Sequence, residues 1–270
     1  MTASVVTNSI AAALQGGRPL PGWAVYLRTM GLFGLAWYAA SALTPNKLLL
    51  PSPVDVALAL HESAIDGELL QNSSVSVARL MLSVACAALL AVPLGLVVGM
   101  SRTAEDLVAW PVELLRPISG IAWIPLALFI FGIGHTLPVF IMFYTAFFPL
   151  LLGTAAGVRS LDRRFVPAAR TMGVEGATLL RRVVLPAALP AILTSARVAV
   201  ASSWTAVVAA ELVGAPSGLG YAIEYYRSML ATPSVMAFIF TIGFLGFLSD
   251  HALRLLTRAL VPWAPAEARQ

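Results

Sequence analysis

The chain has 270 residues, 59% of them hydrophobic and 11% charged, with a net charge of +4, a mean hydropathy of +0.86 and a pI near 9.6. An ordinary soluble domain is about one quarter charged, so this composition excludes one or two soluble domains and describes a chain that crosses a bilayer several times. The arginines cluster between apolar runs rather than on one soluble face, which argues against nucleic acid; the single Cys86 excludes a disulfide framework or thiolate cluster, and the single Lys47, with no Gly-Lys-Ser/Thr sequence, excludes a phosphate-cradling P-loop.

Residues 1–22 are polar to mixed, with Gly16-Gly17-Arg18-Pro19, and are expected to be a disordered cytoplasmic N-terminus. The first apolar run, 23–43, has the length a helix needs to cross the hydrocarbon core. Ala40-Ser41-Ala42 has the form of a signal-peptidase site. The run is nevertheless of full span length and the leader would be long, so a retained span is expected. Residues 44–74 carry too many charges to span. Pro51-Ser52-Pro53 followed by Val56, Leu58, Leu60 and Ile65 predicts an amphipathic helix outside the membrane.

A membrane-embedded core is expected over 75–257. Its spans fall at about Val75–Met100, a short Gly120–Ile133, Leu137–Val158, Ile192–Val213 and Val235–Leu256. Arg79, near the boundary of its span, is expected to snorkel to the interface. Residues 101–118 are charged on both sides of a short amphipathic piece and read as a cytoplasmic turn, and 159–190 as a long polar loop. Pro186 and Pro190 bracket the start of the fifth span, 214–233 form an outer loop, and 258–270 a polar tail. With the first run this makes six spans. With the N-terminus inside, inner segments and adjacent helix ends hold Arg18, Arg102, Arg116, six arginines of the 159–190 loop, Arg197, Arg254, Arg258 and Arg269; outer segments hold Lys47 and Arg227. Thirteen against two places both termini and the 159–190 loop in the cytoplasm.

That loop contains Arg159, Arg163, Arg164, Arg170, Arg181 and Arg182 against Asp162 and Glu175. A lipid-embedded chain has no solvent reason to keep such a segment, so a soluble partner is expected. Inside it, Ala168-Ala169, then Gly173, then Val183-x-Leu185-Pro186 resembles the EAA loop of ATP-binding-cassette importer permeases: Glu-Ala-Ala, three residues, Gly, nine residues, Ile-x-Leu-Pro. One departure stands out, since Pro167 occupies the position of the Glu. Pro is tolerated at the first position of a helix, yet it cannot supply a carboxylate for an ion pair. Val208-Ala209-Ala210-Glu211-Leu212, Gly218-Leu219-Gly220-Tyr221, Asp250, Leu260-Val261-Pro262-Trp263, Leu50-Pro51-Ser52-Pro53 and Leu114-Leu115-Arg116-Pro117 are similar to the nitrate/sulfonate/taurine branch of these permeases.

The resemblance implies an all-α polytopic membrane protein of the type I importer fold: six transmembrane helices with a cytoplasmic coupling helix, in a bacterial inner membrane. It further implies a homodimer of permeases, two cytoplasmic ATPase subunits that use ATP and Mg, and a periplasmic or lipid-anchored binding protein that delivers a small anion such as a sulfonate, taurine or nitrate. No cofactor is implied for this chain and no catalysis of its own. The residues carried over as coupling to the ATPase are Pro167, Ala168, Ala169, Arg170, Gly173, Leu185 and Pro186.

For the solute path, Ser202-Ser203-Trp204-Thr205 fall near the middle of the fifth span, where hydroxyls and an indole N–H can meet a polar solute. Equally, the hydroxyls can return bonds to their own helix while Trp204 packs. Glu211 lies further outward, as a gate, a binding-protein contact or an interfacial carboxylate. Asp250 and Arg254, four apart on the sixth span, predict a structural ion pair. His135 and His251 stand apart in sequence and indicate no metal site. Phe129, Phe131, Phe140, Phe143, Phe147 and Phe148 read as packing and lipid contact. Rival readings are a self-sufficient secondary transporter, which predicts inverted repeats and deep charges in several spans, an intramembrane enzyme, which needs a motif such as His-Glu-x-x-His, and a non-transporting membrane scaffold.

Overall fold

The computed structural model describes residues 22–263 apart from 45, 47 and 163. The expectations for residues 1–21 and for the tail after 263 lie outside the described residues. All the regular elements among the described residues are helical, and they fall into two units that divide after Leu58.

The first unit holds α1, Gly22–Leu43. After α1 the chain folds back on the end of that helix. Trp37 Nε1 donates to Pro51 O at 3.2 Å, and Ser41 Oγ donates to Leu50 O at 3.1 Å. These bonds explain the Leu50-Pro51-Ser52-Pro53 sequence locally. Ser52 then caps α2, Pro53–Ile65. Its Oγ accepts from Asp55 N, and Asp55 Oδ2 accepts in return from Ser52 N and Ser52 Oγ. Pro53 sits at the first helical position, where an N–H would go unpaired anyway.

The second unit is built on three long helices: α3, Glu68–Met100, α6, Thr136–Arg159, and α8, Gly176–Gly214. Small residues set their spacing. In α3, Gly95 and Gly99 lie four apart, and in α6 so do Gly153 and Gly157, the spacing that lets helix backbones approach closely in lipid. A Cβ on Gly99 would lie 2.6 Å from Val158 Cβ, and one on Gly153 would lie 1.7 Å from Ser195 Oγ. The α3–α6–α8 seam therefore admits no side chain at these positions. Around it Leu80, Met142, Leu150, Leu151, Val207 and Phe238 are fully buried.

Between α3 and α6 lie α4, Arg102–Leu115, a 3₁₀ turn Gly120–Trp123, and α5, Ile124–Phe131. The short amphipathic piece expected within 101–118 is a 14-residue helix with no buried residue, started by Ser101 Oγ accepting from Ala104 N. The short third span shrinks to the eight residues of α5, and the Gly120–Phe131 stretch that contains it is set at 77° to α4. Only together do the two have the length and apolarity of one broken span.

The remaining helices are α7, Phe165–Thr171, α9, Leu219–Ser228, and α10, Thr232–Leu260. The outer loop expected at 214–233 thus encloses a ten-residue helix. Helix α10 buries only Ala237, Phe238 and Thr257 within the protein. Among the described residues, four helices, α3, α6, α8 and α10, are long and apolar enough to cross a membrane, or up to five spans with the broken pair. Helix α1 has the length but carries Arg28 and Thr29 and is not among the four. The aromatics divide as the sequence indicates, with the Phe147 ring in contact with those of Phe143 and Phe148 and Phe129 fully outward.

Helix α8 corrects one expectation. The helix that holds the fifth span starts well before Ile192 and the two prolines: it runs unbroken from Gly176 for 39 residues, about 58 Å at 1.5 Å per residue. Pro186 removes a backbone donor, and just before it Leu180–Val184 widen into a π-turn. The extra residue in that turn relieves the clash a proline ring makes with the preceding turn. Pro190 is simply carried inside the helix.

Candidate functional site

Three places on the second unit bring together polar side chains that the sequence singles out. At the end of the bundle where α6 meets α8, helix α7 is a short amphipathic rod. Its Val166 and Ala169 pack, with Val174, on a cluster of Leu96, Val158, Leu179 and Val184. Pro167, Ala168 and Arg170 face away and are exposed. Pro167 is the third helical residue rather than the first, still within the turn whose N–H groups have no partner inside the helix.

Gly173, at φ 78°, ends the rod. Gly173 N donates to Arg170 O at 2.9 Å and Val174 N to Ala169 O at 3.0 Å. This is the double bond pattern of a helix stop with a left-handed residue just past its end. Ala169 therefore serves both the stop and the packing, while Leu185 and Pro186 are half-buried at the π-turn of α8. A cleft of about 580 Å³ beside α7 is lined by Arg102, Glu105, Arg159, Asp162, Pro167 and Arg170, among others. Across it the exposed pair Arg159–Glu105, at 2.9 Å, links α6 to α4. Exposed pairs of this kind contribute about 0–1 kcal/mol.

The Ser202–Thr205 run does not act as one patch. At 100° per residue four consecutive residues spread around the helix. Ser202 and Thr205 line an open cavity of about 520 Å³ with Tyr144, Thr145 and Arg116. Ser203 is buried and donates to Met142 O at 3.3 Å; Trp204 is buried and its Nε1 donates to Ser249 Oγ at 3.2 Å. Thr205 Oγ1 bonds back to Ala201 O. The hydroxyls thus divide between helix, neighbour and cavity.

The third place was missed. Arg79 does not snorkel; it is 4% exposed and its Nη1 meets Glu211 Oε1 at 2.7 Å, with Glu211 fully buried. Ser76 Oγ and Gly220 N also donate to the carboxylate, while Arg79 further donates to Ser217 O at 2.6 Å and meets His135 Nδ1 at 2.7 Å. His135 is therefore not a lone residue.

The glycines of Gly218-Leu219-Gly220 find their reason here. A Cβ on Gly218 would lie 2.5 Å from both Glu211 oxygens, and Gly218 sits at φ 113°. Glu211, expected as a gate, a binding-protein contact or an interfacial carboxylate, is buried at the centre of an internal knot tying α3, α8, the 215–218 turn and α9. The available signal was two isolated opposite charges inside apolar spans, which must pair or face a cavity.

On α9, the Tyr221 and Tyr225 rings stack at 6.3 Å, and Glu224 pairs with Arg227. The Arg227 guanidinium lowers the Glu224 carboxyl below its usual range. Tyr226 donates to Glu68, and that carboxylate, with burial, pushes the phenol up to about 12. The Asp250–Arg254 pair forms at 2.8 Å as expected, and Arg197 joins it unforeseen at 2.9 Å.

Long apolar helices seamed by small residues, with charges sequestered among them, define a helical protein embedded in the membrane. The family described as binding-protein-dependent transport system inner membrane component is matched by residues 91–262, and the chain belongs to it. Two relatives agree. The taurine transport system permease protein of Escherichia coli is 35% identical over 232 residues, 84% of each chain. A permease protein of Bacillus subtilis named for aliphatic sulfonates transport is 31% identical over 258 residues, 95% of this chain and 94% of that one. Among solved structures, an inward-facing methionine ABC transporter, MetNI, matches with a TM-score of 0.63 at 20% identity, over 73% of this chain and 98% of that one. The fold is thus that of an ABC importer permease.

Proposed function

We propose that this chain is the permease subunit of an ATP-driven importer, carrying a small anion of the sulfonate or taurine class handed to it by a binding protein. A second copy completes the path, and two ATPase subunits bind and hydrolyse ATP with Mg; the chain itself performs no covalent step. Both termini and α7 face the cytoplasm, six spans cross the inner membrane including α1, and α9 lies on the outer side. The single observation that carries this reading is α7: an exposed face of Pro167, Ala168 and Arg170, a glycine stop, and an inner face packed on the base of a span-length helix. A short rod so mounted transmits a push from a soluble partner to α8. Family membership favours this reading over a self-sufficient secondary transporter or a scaffold.

The test is co-purification of the tagged chain from its native cells. The full chain is expected to retain an ATPase subunit, and deletion of 165–180 to release it. Solute uptake by the purified chain with no ATPase present would overturn the proposal.

A further inference from the structure

Next to the Ser202 cavity, with Thr205 shared between them, a groove of about 430 Å³ runs between α8 and α10, lined by Arg197, Trp204, Thr205, Gly243, Gly246 and Asp250, among others. Measured along α8 from Gly214, Thr205 lies about 14 Å deep and Arg197 about 26 Å deep, at 1.5 Å per residue. The groove therefore reaches from mid-membrane into the inner half. Arg197 and Asp250 side chains are 22% and 34% exposed. Val200, Ala201, Val208, Ile242 and Phe247 make the rest of the groove apolar, so Arg197 and Asp250 are its polar end.

Its charge does not balance. Arg197 Nε bonds Asp250 Oδ1 and Arg254 Nε bonds Asp250 Oδ2, two guanidinium groups on one carboxylate, with Arg258 one turn beyond. Among the described residues, the Nη groups of Arg197 make no hydrogen bond. A guanidinium held by one edge offers its other N–H groups as a planar fork, the shape that takes two oxygens of an oxyanion. Gly243 and Gly246 keep the opposite wall low, and the ring of Trp204, fixed through Ser249, forms an apolar flank.

We propose that the α8–α10 groove is an oxyanion station on the translocation path: the Nη groups of Arg197 take a sulfonate or carboxylate headgroup, Asp250 orients the guanidinium, and Arg254 and Arg258 draw the anion onward. The proposal rests on the permease reading above. It assigns Asp250 a competing role, since its charge limits how tightly the anion is held.

The test has two parts. The full chain in phosphatidylcholine nanodiscs is labelled with phenylglyoxal, with and without ethanesulfonate, and modification is mapped by mass spectrometry. Ethanesulfonate is expected to slow labelling of Arg197 at least five-fold and to leave Arg227 unchanged. An unaltered rate at Arg197 overturns the proposal. So does protection that appears on adding phosphatidylglycerol and not ethanesulfonate, which would give the groove to a lipid headgroup.

In the reconstituted complex with ATPase and binding protein, Arg197→Gln is expected to raise the KM for ethanesulfonate at least ten-fold, with Arg197→Lys intermediate and Asp250→Asn lowering it. A merely structural triad predicts that both Arg197→Gln and Asp250→Asn reduce folded protein with no opposed KM shifts, and that result counts against the station. Unchanged KM values with the ATPase still co-purifying refute the station and leave the permease reading standing. Loss of the ATPase from the wild-type complex refutes both.

Discussion

Replacing Glu211 by glutamine tests the internal knot. The carboxylate accepts from Arg79 Nη1 at 2.7 Å, from Ser76 Oγ at 2.7 Å and from Gly220 N at 2.9 Å. An amide has one acceptor oxygen and an NH₂. With its oxygen toward Arg79, the NH₂ is turned toward the Gly220 N–H; reversed, it is turned toward the guanidinium. Either orientation places donor against donor and leaves a guanidinium that is 4% exposed without its counter-charge. Breaking one side of a buried pair costs about 3–5 kcal/mol. Arg79 keeps Ser217 and His135, so the lower end applies: about 3 kcal/mol, roughly a hundred-fold in the folding constant. Reversible unfolding in mixed micelles titrated with dodecyl sulfate, followed by helicity, measures this. Arg79→Met alone is expected to cost a similar amount. The double variant should cost less than the sum by about 2 kcal/mol or more, because neither charge is then left alone. A loss under about 1 kcal/mol for Glu211→Gln, or an additive cycle, refutes the assignment of the knot.

Gly173→Ala forces a side chain into the left-handed region at φ 78°, at about 1–2 kcal/mol. We expect the α7 stop to fray, and ATP hydrolysis by the complex to lose its link to uptake, read as the ratio of the two rates. Gly153→Ala places a Cβ 1.7 Å from Ser195 Oγ, and the strain of overpacking, about 1–3 kcal/mol, should appear in the same unfolding assay and be relieved by adding Ser195→Gly. Tyr226 titrates near 12 rather than the ordinary value near 10, so between those pH values the unfolded chain binds fewer protons than the folded one. Stability from its bond to Glu68 is then complete below about pH 10 and is lost as pH rises toward 12; Glu68→Gln should return the tyrosinate absorbance midpoint toward 10.

Hydropathy made the long helices legible, since a run of apolar residues has little choice in lipid. Gly173 was legible too, because a left-handed stop has few other occupants. The start of α8 was not. Pro186 and Pro190 read as a break, whereas a π-turn absorbs the first and the helix carries the second. The charges of 101–118 suggested a turn because one face of a surface helix looks like a loop when neighbours are unknown. For Arg79, sequence gives depth along the helix but not the face, and the face decides between interface and Glu211. The Ser202–Thr205 run carried its own correction, because consecutive residues on a helix cannot share one wall.

What is rigid and what is loose follows from the same packing. Helices α3, α6 and α8 meet through glycine seams without room for a side chain, and the Arg79–Glu211 knot ties α3 to α8 again near Gly214. These three should move as one block. Helix α10, with three buried residues, is held to α8 largely through Trp204–Ser249, Phe238 and the Arg197–Asp250 pair. On the proposed coupling, a push delivered at α7 would reach the base of α8 through Leu179 and Val184 and move the block against α10, where the proposed oxyanion groove lies. Spin labels on α8 and α10 should therefore change separation between nucleotide-free and ATP-bound complexes, while labels on α6 and α8 keep theirs. A shift confined to the α6–α8 pair would mean that the glycine seam slides, and the path would then have to be sought on the Ser202 side of α8 instead.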